Sequence, residues 1–346
     1  IFDEIQEVPK ALTSLKYFHE NAPQYAIVAA GSLLGVALHQ GTSFPVGKVD
    51  FLDLYPLNFR EFLCAMGEKQ FVSMLDSCDT QMVTVFKTKY IERLREYYFV
   101  GGMPEVVKDF SEKKDYNRVR AIQKNLINYY QQDFSKHAEI KLVPRLNLVW
   151  NSIPMQLAKE NKKYIYGQVR EGSRAKDFEL AIQWLLDCGL IHKVQRIQKP
   201  DLPLKAYIDF DAFKLFLVDI GLLIAMTDLD AKVIIEGNKI FTEFKGSLTE
   251  QYILQQLISD VGVIPYYYST QNSKGEIDFL VQGKTSVIPI EVKAEENLKA
   301  KSLKAFCEKY QPSYAVRTSM SDYREQDWMT NIPLYAIKWI ENYVNQ

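Results

Sequence analysis

Only four of the 346 residues are cysteine, and Cys64, Cys78, Cys188 and Cys307 lie far apart without a C-x-x-C pair. That argues against a disulfide framework or a zinc knuckle and fits a reducing cytoplasm. Charge of one sign is lacking as well: 42 Lys and Arg stand against 43 Asp and Glu, a formal net charge of -1. Affinity for nucleic acid must then come from local patches. Long apolar runs are missing. The longest, Tyr25 to Leu38, is interrupted by Gly31-Ser32 and Gly35 and is too short to span a bilayer, so no membrane partner is expected. The chain opens Ile-Phe-Asp-Glu without the basic n-region of a signal peptide, and the expected location is cytoplasmic. What is present describes a globular protein, 47% hydrophobic and 25% charged, with length for two or three domains.

The most informative stretch is near the C-terminus. Glu250 lies in a helical pattern; Gly275-Glu276-Ile277-Asp278-Phe279-Leu280 and Pro289-Ile290-Glu291-Val292-Lys293 read as strands. Residues i and i+2 of a strand share a face, so Glu291 and Lys293 project together while Ile290, Val292 and Ala294 point into a core. Asp278 has a similar setting, with Ile277 and Phe279 expected on the opposite side. Gly283-Lys284-Thr285-Ser286 supplies a hairpin turn between the two strands. Three carboxylates beside one ammonium suit Mg²⁺- or Mn²⁺-assisted phosphodiester hydrolysis, with the acids holding the cation and the lysine positioning water. The alternative for a bare Glu-x-Lys is a solvated strand face. For Glu250 it is a first-turn carboxylate favoured by the helix dipole. The ordered set of helical Glu, strand Asp and strand Glu-x-Lys resembles the PD-(D/E)xK nuclease superfamily.

At the other end, Ile1-Phe2-Asp3-Glu4 reads as a strand finishing in two acids. Residues 10–21 read as a helix, and Tyr25 to Ala30 as a second apolar strand ending in Gly31-Ser32. Strands without alternation suggest parallel pairing covered on both faces. Further distinctive runs are Tyr55-Pro56-Leu57-Asn58-Phe59-Arg60-Glu61-Phe62, Gly101-Gly102-Met103-Pro104-Glu105 and Leu217-Val218-Asp219-Ile220-Gly221-Leu222. With the acidic motifs above, this succession resembles a prokaryotic AAA+-like P-loop ATPase family with a C-terminal nuclease-like domain of unassigned function. The resemblance implies that Asp3 holds Mg²⁺ through water, that Glu4 polarises the attacking water, and that Ser32 senses the γ-phosphate. A turn-forming Asp-Glu is the plain alternative. A Walker A loop is not found: Gly41 to Val49 has five residues between its glycines and ends in valine. The chain therefore looks like a fragment without the family's Walker A part, and as written should bind ATP poorly.

Residues 58–142 read as mainly helical, with Tyr90, Leu94, Tyr97 and Tyr98 forming a core stripe. Residues 143–233 look like a winged-helix module. Helices over 143–158, near Tyr166 and over 174–188 precede wing strands at 190–197 and 206–210, and Ser173 is the expected cap of the third helix. Arg170, Arg174 and Lys176 have three readings: contacts to DNA phosphates, an ATPase sensor at Arg174, or a solvated face. Asp219 reads as a helix or turn cap before a joining of the nuclease acids.

The expected architecture is α/β multidomain. A partial P-loop ATPase parallel sheet (1–57) leads into a helical lid or linker (58–142) and a winged-helix-like domain (143–233). A restriction-endonuclease-like α/β domain (234–346) follows. The expected function is an AAA+-like ATP-binding protein acting on nucleic acid, DNA favoured, through Glu250, Asp278, Glu291 and Lys293. The alternative is a non-cleaving, ATP-switched interaction protein that uses a degenerate nuclease fold for docking. Self-association into a homo-oligomer is compatible with either.

Overall fold

The computed structural model describes residues 1–31, 35, 47–159, 162–236, 242–270, 275–295 and 300–346. Ser32 and most of the rejected Gly41–Val49 loop lie outside the described residues.

The two apolar runs of the N-terminal segment meet in a parallel bridge between Phe2 and Ala29. The Phe2 N–H donates to the Val28 carbonyl at 2.8 Å and the Ala30 N–H to the Phe2 carbonyl at 2.8 Å. Helix α1 (Pro9–Asn21) connects them, with its proline in the first turn where no N–H partner is needed. Residues 49–57 then run as an irregular strap with Phe51, Leu52 and Leu54 exposed.

Six helices follow: α2 (Phe59–Ala65), α3 (Lys69–Asp76), α4 (Thr80–Val85), α5 (Lys87–Val100), α6 (Pro104–Lys113) and α7 (Tyr116–His137). A reciprocal Asn58–Glu61 capping box starts α2. The α5 stripe of Tyr90, Leu94, Tyr97 and Tyr98 is buried, as its spacing predicts.

Helices α8 (Val143–Leu157), α9 (Tyr166–Val169) and α10 (Ala175–Asp187) precede the hairpin of β1 (Ile191–Ile197) and β2 (Ile208–Leu217). Ser173 does not cap α10. Arg174 takes that position in extended conformation, and its N–H donates to Asp177 Oδ2 at 2.8 Å. The second strand is also longer than 206–210, because Ala212 to Leu217 continue it as a buried apolar run. The hairpin does not stand alone as a wing: β1 pairs in parallel with β3 (Tyr266–Ser269), Arg196 against Tyr267.

The result is one eight-stranded mixed sheet, order β2-β1-β3-β4-β5-β6-β8-β7, in an α/β chain. Strands β4 (Glu276–Gln282) and β5 (Val287–Val292) form the expected hairpin, and β6 (Val316–Ser319), β7 (Arg324–Gln326) and β8 (Met329–Pro333) complete the sheet. On one face Phe279, Val281, Ile288, Ile290 and Val292 join the core that includes Leu248, Tyr252 and Leu254 of α13 (Thr242–Gln256). On the other, Leu280, Val287 and Ile277 pack with Leu303 and Phe306 of α14 (Lys301–Tyr310). The short helices α11 (Ile220–Met226) and α12 (Ala231–Ile235) follow β2, with Asp219 as the cap of α11. At the end of β2, the Gln251 side-chain amide pairs with Leu217, accepting from its N–H at 3.0 Å and donating to its carbonyl at 2.7 Å.

Candidate functional site: two polar clusters in the C-terminal sheet

Helix α13 starts at Thr242, so Glu250 sits more than two turns in rather than in the first turn. The dipole contribution expected there does not reach it. Glu250 is buried, and its charge is compensated by ammonium groups instead. Lys162 forms an ion pair with Oε1, and the Lys214 Nζ lies 3.7 Å from Oε2.

Lys214 is completely buried in β2, between residues of an apolar run. Its ammonium also pairs with Glu276 and lies 4.8 Å from the centre of the Tyr267 ring. Burial would lower its pKa, but Glu250, Glu276 and Asp278 together raise it well above the ordinary lysine value. For Glu250, burial alone would raise the carboxyl. The two lysines and a hydrogen bond with Asp278 overcome that and hold it below the ordinary value.

Asp278 reaches this cluster through a β-bulge. Tyr266 pairs with Leu280 and Tyr268 with Ile277, two steps on β3 against three on β4. An extra residue reverses the alternation of the strand. Ile277 and Phe279 consequently enter different cores, which corrects the expectation that they share a face. Burial, then the Glu250 charge, pushes the Asp278 carboxyl up to about 8. Below that pH it is the neutral donor to Glu250, while its Oδ2 accepts from the Val292 N–H at 2.7 Å.

Glu291 lies on the other face, flanked by Ile290 and Val292 of the opposite core. Its Oε1 is 2.6 Å from Lys293 Nζ, and Oε2 accepts from the Leu303 N–H at 3.3 Å at the start of α14. Glu291 and Lys293 therefore project together, as strand spacing predicts. The structure joins Glu250 to Asp278 and Glu291 to Lys293, while Asp278 Oδ2 accepts from the main chain of Val292, the residue between Glu291 and Lys293. Among the described residues no three Asp, Glu, His or Cys side chains are placed to hold a metal. The donor set proposed for Mg²⁺ or Mn²⁺ is not gathered as one group among these residues, and ammonium groups already neutralise Glu250.

Asp3 and Glu4 stand apart from both clusters, in the N-terminal segment just beyond the Phe2 bridge. Both are exposed. Asp3 Oδ1 accepts from the Glu4 N–H at 3.0 Å, Glu4 is at φ 47°, and the Gln6 side chain bonds its carboxylate. Arg170, Arg174 and Lys176 are exposed side chains along the segment that enters α10.

Sequence reasoning missed Lys162, Lys214 and Glu276. A single lysine inside Ala212–Leu217 was the available signal, because an unpaired ammonium cannot be buried at tolerable cost.

Replacing Asp278 by Asn tests the neutral-acid assignment. Asn retains an acceptor for the Val292 N–H and a donor for Glu250, but cannot ionise. A folded-state pKa of about 8, raised from 3.8, means that proton binding contributes stability which is lost as pH rises through 8. Between pH 7 and 9 the natural chain should lose about 1.4 kcal/mol relative to Asp278→Asn. Urea denaturation at both pH values measures this, and parallel pH profiles for the two proteins would refute it.

Three segments match known families. Residues 91–233 match a Domain of unknown function (DUF8612), and residues 245–337 match a second (DUF4143). Residues 1–63 match an AAA domain, which suggests an ATPase-type function. None of the three spans half of the chain. No curated protein and no solved structure matches it. No helix among the described residues is long and apolar enough to cross a membrane.

Proposed function

We propose that the protein is an ATP-switched regulatory or interaction protein in which an AAA-type segment is joined to a nuclease-like fold that docks without cutting. One observation carries this reading over phosphodiester hydrolysis. Glu250 pairs with two lysines and Glu291 with Lys293, so ammonium groups occupy the charge that a divalent ion would supply. On the ATPase side, Asp3 and Glu4 would hold Mg²⁺ through water and polarise the attacking water, with Ser32 at the γ-phosphate. Their place after a parallel-paired residue supports that assignment. The bound nucleotide would supply the free energy of a conformational change.

The favoured partner is nucleic acid, DNA first, engaged by Arg170, Arg174 and Lys176 at the start of α10. Three exposed cations beside a helix start suit phosphate contacts. The test is incubation with supercoiled plasmid and single-stranded DNA in Mg²⁺ or Mn²⁺. Expected are intact DNA and salt-sensitive binding whose log–log salt slope falls by about 0.9 per cation removed to Ala. Metal-dependent cleavage that disappears in Lys293→Ala would reinstate the nuclease. Binding unchanged in the triple variant would remove the DNA-docking assignment.

A further inference from the structure

Three runs that stand out in the sequence meet at one buried place. The Leu57 N–H donates to the Gly102 carbonyl at 2.7 Å, and the Gly102 N–H donates to Asp219 Oδ2 at 2.6 Å. Gln255 Nε2 donates to the same Asp219 oxygen at 3.2 Å and to the Tyr97 hydroxyl at 2.9 Å. The Tyr97 hydroxyl closes the circuit by donating to the Leu57 carbonyl at 2.6 Å. Strap, α5–α6 turn, α11 cap and helix α13 are thereby joined in one closed ring of hydrogen bonds.

The backbone is shaped for this approach. A Cβ on Gly102 would stand 2.1 Å from the Leu57 carbonyl oxygen, and one on Gly101 2.2 Å from Asp219 Oδ1. Directly beside the ring, Gln256 Oε1 accepts from the Phe59 N–H at 2.8 Å. Opening the Gly102–Asp219 bond would strand a buried donor, which favours joint opening of the members. Upstream of the ring the strap is exposed; downstream, α13 carries Glu250.

We propose that this ring is a latch: the strap near the end of the AAA-matching segment is clamped at Leu57, and its release loosens α13 and the Glu250–Asp278 pair as one unit. Movement of the N-terminal segment is thereby converted into a change in the C-terminal sheet. The latch does not depend on which partner the protein docks.

Native-state hydrogen exchange of the whole chain in low urea tests it without any variant. The Leu57 and Gly102 amides and the amides of α13 should share one opening equilibrium constant within about twofold. Tyr97→Phe removes the hydroxyl while keeping the ring, and should speed exchange at least tenfold in both the strap end and α13. Separate opening constants in the natural chain, or faster exchange confined to residues 47–57 in Tyr97→Phe, would overturn the latch. Failure of DNA binding or of ATP binding would leave these exchange outcomes unaffected.

Discussion

Lys214→Met is expected to cost about 3–5 kcal/mol, the range for removing one partner of a buried ion pair. The side chain is fully buried and is the only cation on Glu276 among the ion pairs described. Methionine fills the space of the lysine stem, so packing changes little and the loss reports on charge. Glu276 is partly exposed and regains water, whereas Glu250 keeps only Lys162 as an ion-pair partner. Adding Glu276→Gln should restore part of the stability, because one of the stranded charges is then removed. Urea denaturation of the two variants decides the matter. A single-variant loss below about 1 kcal/mol would mean that the cluster is not electrostatically coupled.

Asp219→Ala should destabilise by roughly 3 kcal/mol or more, from about 1 kcal/mol or more for each buried donor it strands. Those donors are the N–H groups of Gly102 and Leu222 and the Gln255 amide. Burial raises the Asp219 pKa, and the donors act against that rise. Asp219→Asn keeps one acceptor oxygen and should fall between Ala and the natural residue. The comparison is a pair of denaturation midpoints at neutral pH. Equal midpoints for Ala and Asn would show that the hydrogen bonds do not set the stability of this junction.

Much of the local structure was legible because it follows from short-range rules. The α5 stripe, the 283–286 turn and the pairing of Glu291 with Lys293 each depend on periodicity or turn chemistry within a few residues. Asp219 likewise fits its capping assignment, with Oδ1 accepting from the Leu222 N–H at 3.0 Å.

What escaped depends on distant partners. The bulge at Asp278 is defined by how β4 pairs with β3, and that pairing has no signature in Gly275-Glu276-Ile277-Asp278-Phe279. One inserted residue lets Asp278 reach Glu250, a partner that spacing alone does not reveal. The hairpin of β1 and β2 reads as a free wing until β3, 75 residues beyond the start of β1, is seen alongside it. Lys214 was visible as a chemical anomaly, but its partners Glu250 and Glu276 could be named only from the fold.

The pairing of Gln251 with Leu217 has a further consequence for self-association. An approaching strand from a second copy finds both main-chain groups of Leu217 already engaged, so the sheet cannot be zippered outward at that point. A dimer or polymer built by strand addition would have to begin at other residues of the edge.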